Sequence, residues 1–126
     1  MNLYGLIGYP LSHSFSKKYF TEKFEREGIA DTVYELFAIE QIELLPGVLA
    51  ANPQLRGLNV TIPYKEQVLP YLTSLSPAVQ QIGACNCIRI IREELTGFNT
   101  DVIGFEQSLL PHLKTHHTQA LVLGTG

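Results

Sequence analysis

Asn59-Val60-Thr61-Ile62-Pro63-Tyr64-Lys65 is the stretch on which the fold turns. Residues 58–62 read as a short buried strand, and Pro63 closes it, because proline brings no N–H to a sheet ladder and holds its own φ near about −65°. An amide, a hydroxyl and an ammonium group cluster around that stop, on Asn59, Thr61 and Lys65. Open α/β sheets keep their ligands at the carboxyl ends of strands, which makes this turn a candidate site. The same residues also suit a plain strand-to-helix turn, with Asn59 and Thr61 bonded locally and Lys65 in solvent.

Upstream, the chain alternates. Residues 3–9 form an apolar run containing Gly5 and Gly8, a buried first strand that Pro10 ends. Ser12, Ser14 and Ser16 then lead into an amphipathic stretch, 17–27, with Tyr19, Phe20 and Phe24 on one face and Gly28 at its end. Either Ser14 or Ser16 suits the helix cap, and hydroxyls beside free helix N–H groups also suit an anion. Residues 31–39 carry Val33, Tyr34, Leu36 and Phe37 and predict a second strand. Residues 40–51 are helical in pattern, bent or restarted at Pro46, and Asn52-Pro53 is a turn before the third strand at 57–62. Strand and helix in alternation predict a parallel sheet with right-handed crossovers, so the turns after strands one and three open on one edge.

Downstream, short helical pieces are expected at 66–72 and 77–82. Residues 85–92 and 95–98 flank Glu93-Glu94 and predict a β-hairpin, which makes the sheet mixed. Asn86 and residues 99–101 then share the rim of Thr61 and Lys65. A helix over 101–113, capped by Thr100 or Asp101, is expected to bury Ile103, Phe105, Leu109, Leu110 and Leu113. Residues 114–119 are a polar linker whose His116-His117 pair is read as solvated, with no metal site. The last segment, Ala120-Leu121-Val122-Leu123-Gly124-Thr125-Gly126, has the form of a strand running into a glycine turn.

Composition narrows the functions. With 126 residues, 45% hydrophobic and 17% charged, the chain has the make-up of one globular domain with a core. A net charge of −3 without a basic run argues against nucleic acid or an anionic membrane as partner, and leaves room for a small anionic ligand. The amino terminus lacks the pattern of a signal peptide and no run has the roughly 20 apolar residues of a membrane span, so a cytoplasmic location is expected. Cys85 and Cys87 are too close for a disulfide and too few for zinc, and are read as free thiols.

Taken together, Ser14-Phe15-Ser16, Asn59-Val60-Thr61-Ile62-Pro63-Tyr64-Lys65, Gly83-Ala84-Cys85-Asn86-Cys87 and Gly97-Phe98-Asn99-Thr100-Asp101 resemble, in order, four motifs of the substrate-binding half of shikimate dehydrogenases. The resemblance implies an α/β fold: an open, mixed, mostly parallel sheet with helices on both faces, in three layers, followed by the truncated start of a Rossmann cofactor domain. It implies residues 1–100 as the substrate-binding catalytic domain, and 101–126 as an interdomain helix plus the first strand of the NADP-binding domain. It further implies reduction of 3-dehydroshikimate to shikimate with NADPH, on the route to chorismate and the aromatic amino acids. Lys65 and Asp101 would be catalytic, Ser14 and Ser16 would hold the substrate carboxylate, and Thr61, Lys65, Asn86 and Asp101 would contact the ring. Gly124 and Gly126 match part of the cofactor fingerprint, which also needs a helix start and a residue about 20 positions on. The expectation is therefore a part of a two-domain enzyme that binds no NADP(H) and is inactive by itself, with an exposed last strand open to homodimer formation. A quinate/shikimate enzyme of the same superfamily and a non-catalytic binding module are the alternatives. Two positions depart from the family pattern: Lys17 stands where proline is frequent, and Cys87 where threonine is common.

Overall fold

The computed structural model describes residues 1–124. Six strands form one open sheet: β1 (Asn2–Gly8), β2 (Thr32–Ala38), β3 (Leu55–Val60), β4 (Ser74–Leu75), β5 (Cys87–Ile91) and β6 (Glu94–Phe98), in spatial order β2-β1-β3-β5-β6-β4. The pairs β1/β2, β1/β3 and β4/β6 are parallel, whereas β3/β5 and β5/β6 are antiparallel. The sheet is thus mixed and mostly parallel, as expected. Four α-helices accompany it: α1 (Ser16–Arg26), α2 (Leu45–Ala51), α3 (Pro77–Ile82) and α4 (Asp101–Leu109).

Helix α1 stops where its chemistry demands. Gly28 adopts φ 64, and Gly28 N–H donates to Glu25 O at 3.2 Å while Ile29 N–H donates to Phe24 O at 2.9 Å. This double closure needs a residue free to enter the left-handed region, which glycine does without a Cβ clash.

The alternation of side chains along the strands sorts the molecule into two faces. Leu3 and Ile7 of β1, Leu58 and Val60 of β3, and Ile88 and Ile90 of β5 point into the larger core, which α2, α3 and the 61–72 segment cover through Leu45, Val79, Tyr64 and Val68. Leu6 of β1 and Tyr34 of β2 point the other way, into a smaller cluster closed by Phe20 and Phe24 of α1. Helices therefore lie on both faces.

Several boundaries and one whole element differ from expectation. β3 is displaced toward the amino terminus and ends at Val60, before Pro63. Residues 66–72 form turns and a single 3₁₀ turn, Leu69–Tyr71, because Pro70 cannot lie inside an α-helix. The hairpin turns at Arg92-Glu93, both with positive φ (49 and 67), the conformation that the right-handed twist of a two-residue hairpin asks for. β4 pairs with β6 although its two residues carry no periodic signal. Along α4 and the 3₁₀ turn at Leu110–His112 that follows it, the apolar residues expected to be buried are exposed: Ile103, Phe105, Leu109 and Leu110 face solvent, as does Leu113 after them. No strand forms over 120–124, since a strand needs a neighbour for its ladder and none pairs with it here. Leu121, Val122 and Leu123 are exposed, as expected of that segment, and Gly126 lies outside the described residues. His116 and His117 are exposed, as a solvated pair should be, and Lys114 N–H donates to His117 Nδ1 at 3.0 Å. Cys85 and Cys87 are free thiols, the first buried and the second half-buried. No helix among the described residues is long and apolar enough to cross a membrane.

Candidate active site

The chain order reverses between β1 and β3: from β1 the chain passes through α1 to β2 on one side, then returns through α2 to β3 on the other. In open α/β sheets, a crevice opens at such a reversal, outside the carboxyl ends of the two strands. Ser14 and Ser16 follow β1, and Thr61 and Lys65 follow β3. Because β5 is antiparallel to β3, its amino-terminal end, with Asn86, reaches the same rim, as does the carboxyl end of β6 with residues 99–101.

Backbone bonds weld these turns together. Thr61 N–H donates to Ile7 O at 3.0 Å, Val60 N–H to Asn86 O at 2.8 Å, and Cys85 N–H to Lys65 O at 2.8 Å. Gly8 makes the first approach possible, since a Cβ there would stand 2.5 Å from Thr61 Cγ2. Ser14, Ser16 and Thr61 consequently line one open hollow of about 510 Å³, together with His13 and Tyr9.

Lys65 is placed by its neighbour. Tyr64 is 2% exposed, its hydroxyl donates to Ile39 O, and its N–H donates to Thr61 O at 3.0 Å, so residue 64 is pinned in the larger core. The next side chain is turned outward, where Lys65 Nζ meets Asp101 Oδ2 at 2.7 Å across 36 residues of sequence. Both side chains keep much of their exposure, 37% and 56%, and such a pair contributes only about 0–1 kcal/mol to folding.

Capping does not account for Asp101. The buried Asn99 does that work: its Oδ1 accepts from Val102 N–H at 3.1 Å, and its Nδ2 donates to Ala84 O at 3.0 Å. Neither Thr100 nor Asp101 caps α4 with its side chain. Thr100 is engaged with Asn86 instead, in a reciprocal pair: Thr100 N–H donates to Asn86 Oδ1 at 2.8 Å, and Asn86 Nδ2 donates to Thr100 Oγ1 at 2.7 Å. An amide nitrogen carries two hydrogens, so Asn86 retains one donor for something else.

The serines divide in the same way. Ser14 Oγ accepts from Ser16 N–H at 3.3 Å, the first N–H of α1, while the helix has no capping bond from its formal cap, Phe15. Lys17, the first departure from the family pattern, is ion-paired with Glu35 of β2 and so ties the start of α1 to the sheet. Cys87, the second, lies opposite Asn59 and Phe98 in the sheet, and burial pushes its thiol pKa up.

One contact escapes any sequence pattern. Tyr34 Oη donates to Asn59 Oδ1 at 2.8 Å, from a strand two places away in the sheet. Burial pushes this phenol far above its ordinary pKa, against the opposing pull of the Ser16 hydroxyl. No spacing in the chain marks residues 25 apart as partners.

The rim thus brings Lys65 and Asp101 together, Ser14, Ser16 and Thr61 together, and Asn86 beside them through β3. Gly124 is exposed with φ 99 and belongs to no such cluster.

A family model described as the shikimate dehydrogenase substrate binding domain matches residues 6–88. The chain is similar to a shikimate dehydrogenase (NADP(+)) of Pyrococcus abyssi, 38% identical over 127 residues that cover 100% of this chain and 47% of that protein. Among solved structures, shikimate dehydrogenase 1 of Peptoclostridium difficile matches with a TM-score of 0.80 at 37% identity, over 89% of this chain and 43% of the other. Shikimate 5-dehydrogenase of Thermus thermophilus, solved in complex with NADP(H) and shikimate, matches with a TM-score of 0.78 at 35% identity, over 89% and 42%. The chain spans somewhat under half the length of these relatives.

Proposed function

The chain belongs to the shikimate dehydrogenase substrate-binding domain family, and from that premise we propose that its rim binds shikimate and 3-dehydroshikimate, for NADP-dependent interconversion in a protein that also carries a cofactor domain. The observation that carries this reading is the Lys65–Asp101 pair, built from distant parts of the chain at a rim it does little to stabilise. A charge pair held in place without much benefit to folding is available for chemistry.

Each group has a task that its chemistry suits. Ser14 and Ser16, at the start of α1, meet the substrate carboxylate with hydroxyls and the free N–H groups of the first helical turn. Thr61 and the remaining donor of Asn86 bind ring hydroxyls. Lys65 donates a proton to the carbonyl oxygen of 3-dehydroshikimate as that oxygen gains charge, and takes one back in the reverse direction. Asp101 holds the ammonium and accepts from a neighbouring ring hydroxyl. A site that hydrogen-bonds each hydroxyl rejects acids lacking them, because unpaired buried polar groups are costly.

NADP(H) supplies or accepts the hydride when it is bound. The described residues do not fit it: a dinucleotide needs a strand, a glycine turn and a helix start, and residues 120–124 form none of these. This chain by itself is therefore expected to bind substrate weakly and to show no NADPH-dependent turnover. In our assignment residues 1–100 are the substrate domain, and 101–126 lead into the cofactor domain, which accords with the exposed apolar side chains of α4. Titration of the ¹⁵N-labelled chain with shikimate tests the reading: amide shifts are expected at Ser14, Ser16, Thr61, Lys65 and Asn86, and to vanish in Ser14→Ala/Ser16→Ala. Shikimate producing no shifts at these positions would overturn it.

A further inference from the structure

We propose that Tyr34 is a positioning residue of the substrate site, its buried phenol holding the Asn59 amide with both Nδ2 hydrogens presented to the ligand at the rim of β3. The inference rests on the shikimate-binding reading above and adds a residue to it.

The phenol has little freedom. Tyr34 is 3% exposed, and its ring lies stacked on that of Phe20, with centroids 4.6 Å apart and planes at 13°. A buried hydroxyl must find a partner, and this one finds Asn59 across the sheet at 2.8 Å. The phenol gives its single hydrogen to Asn59, and only the carbonyl end of an amide accepts it. The orientation of Asn59 follows: Oδ1 is consumed inside the protein, and Nδ2, with two hydrogens, is left without a protein partner among the described residues.

The location gives that orientation a use. Asn59 stands in β3 two residues before Thr61, which follows the strand's end and lies against Gly8. Tyr34 and Asn59 line a groove of about 380 Å³ beneath α1, and Ser16 and Thr61 line the hollow at the strand ends. Asn59 and Thr61, two residues apart, thus stand one in each. An amide free to turn over would at times present its carbonyl, which repels a carboxylate oxygen and can only accept from a hydroxyl that the NH₂ would donate to. Asn86 is held by the same device, through Thr100.

The test uses this chain, with shikimate as the probe. Tyr34→Phe keeps the ring that stacks on Phe20 and removes only the oxygen. The variant is expected to fold, to shift the side-chain NH₂ resonances of Asn59 in the free protein, and to raise the shikimate dissociation constant about 3- to 10-fold, the span of one hydrogen bond. In an Asn59→Ala background the same change is expected to add nothing, which a merely structural loss would not reproduce. Asn59→Asp, in which the acceptor for Tyr34 survives and the donor is gone, is expected to bind shikimate at least as poorly as Tyr34→Phe, and it carries the test should Tyr34→Phe fail to fold. Undiminished binding by Tyr34→Phe or by Asn59→Asp, or an equal loss in the Asn59→Ala background, would overturn the inference while leaving the shikimate reading intact. Failure of the parent chain to bind shikimate would overturn both.

Discussion

The two faces of the sheet are made by the same strands and have opposite characters. Along β3, Leu58 and Val60 enter the larger core, while Asn59, between them, faces the smaller cluster and bonds to Tyr34. The larger face is closed by α2, α3 and the 61–72 segment, with Ile7, Leu45 and Val68 wholly buried. Among the described residues the α1 face buries Leu6, Leu11 and Tyr34, and its helix contributes Phe20 and Phe24 that remain partly open. The difference teaches that one face supplies the stability and so frees the other, with the rim above it, to hold polar groups in exposed positions.

The sharpest way to break that comparison is to cut the two faces separately. Ile7→Ala on the larger face is expected to cost about 2–5 kcal/mol, the range for truncating a buried aliphatic residue, which is a large part of the roughly 5–15 kcal/mol that a domain possesses. Phe20→Ala removes a larger side chain from the α1 face, yet is expected to cost only about 1–2 kcal/mol, because that ring already keeps part of its contact with water. Urea unfolding of both variants checks this. A greater loss for Phe20→Ala would mean that α1 is the keystone and that the faces have been read the wrong way round.

Much of this division was legible in the chain. Apolar runs bounded by Pro10, Gly28 and Asn52-Pro53 located the first three strands and the helices between them, because proline and glycine act locally. The rim was legible for the same reason: Ser14, Thr61, Asn86 and Asp101 stand at or close to a strand or helix end, and Lys65 lies in the turn that Pro63 opens. Two things were not. The helical period of residues 101–113 marks an apolar face but says nothing of what covers it, and among the described residues α4 leaves that face in solvent. The Tyr34–Asn59 bond depends on which strands become neighbours around β1, and that is a property of the sheet order, not of any window of sequence.

Alkaline titration sharpens the comparison with a smaller effect. Burial raises the thiol pKa values of Cys85, in the larger core, and Cys87, on the other side, and does the same for the phenols of Tyr64 and Tyr34. In the unfolded chain, the thiols ionise near 9.0 and the phenols near 10.0, whereas the native groups still hold their protons. Unfolding then releases protons, so stability is fully present below those values, falls as pH rises through 9 and then 10, and goes on falling until the native pKa values are passed. Thermal melts from pH 7 to 11 should show a plateau followed by this decline, and a rise above pH 9 would contradict the assigned burial. Iodoacetamide on the native chain at pH 8 should reach half-buried Cys87 before Cys85.

The smallest expected effect on folding is also the most telling about function. Lys65 and Asp101 meet at 2.7 Å with both side chains substantially exposed, and a pair in that setting gains little over two hydrated charges. Lys65→Met and Asp101→Asn are each expected to change the unfolding free energy by no more than about 1 kcal/mol, because the bonds that hold this turn belong to the backbone and to Tyr64. Shikimate binding is expected to weaken in both variants, since each removes a group that would touch a ring hydroxyl. A loss of more than about 2 kcal/mol of stability would put the pair among the interactions that build the rim and take it out of those that use it. Near-neutral stability with weakened binding would mean that the exposed rim is energetically detached from the larger face, so that its chemistry can be altered without loosening the sheet that carries it.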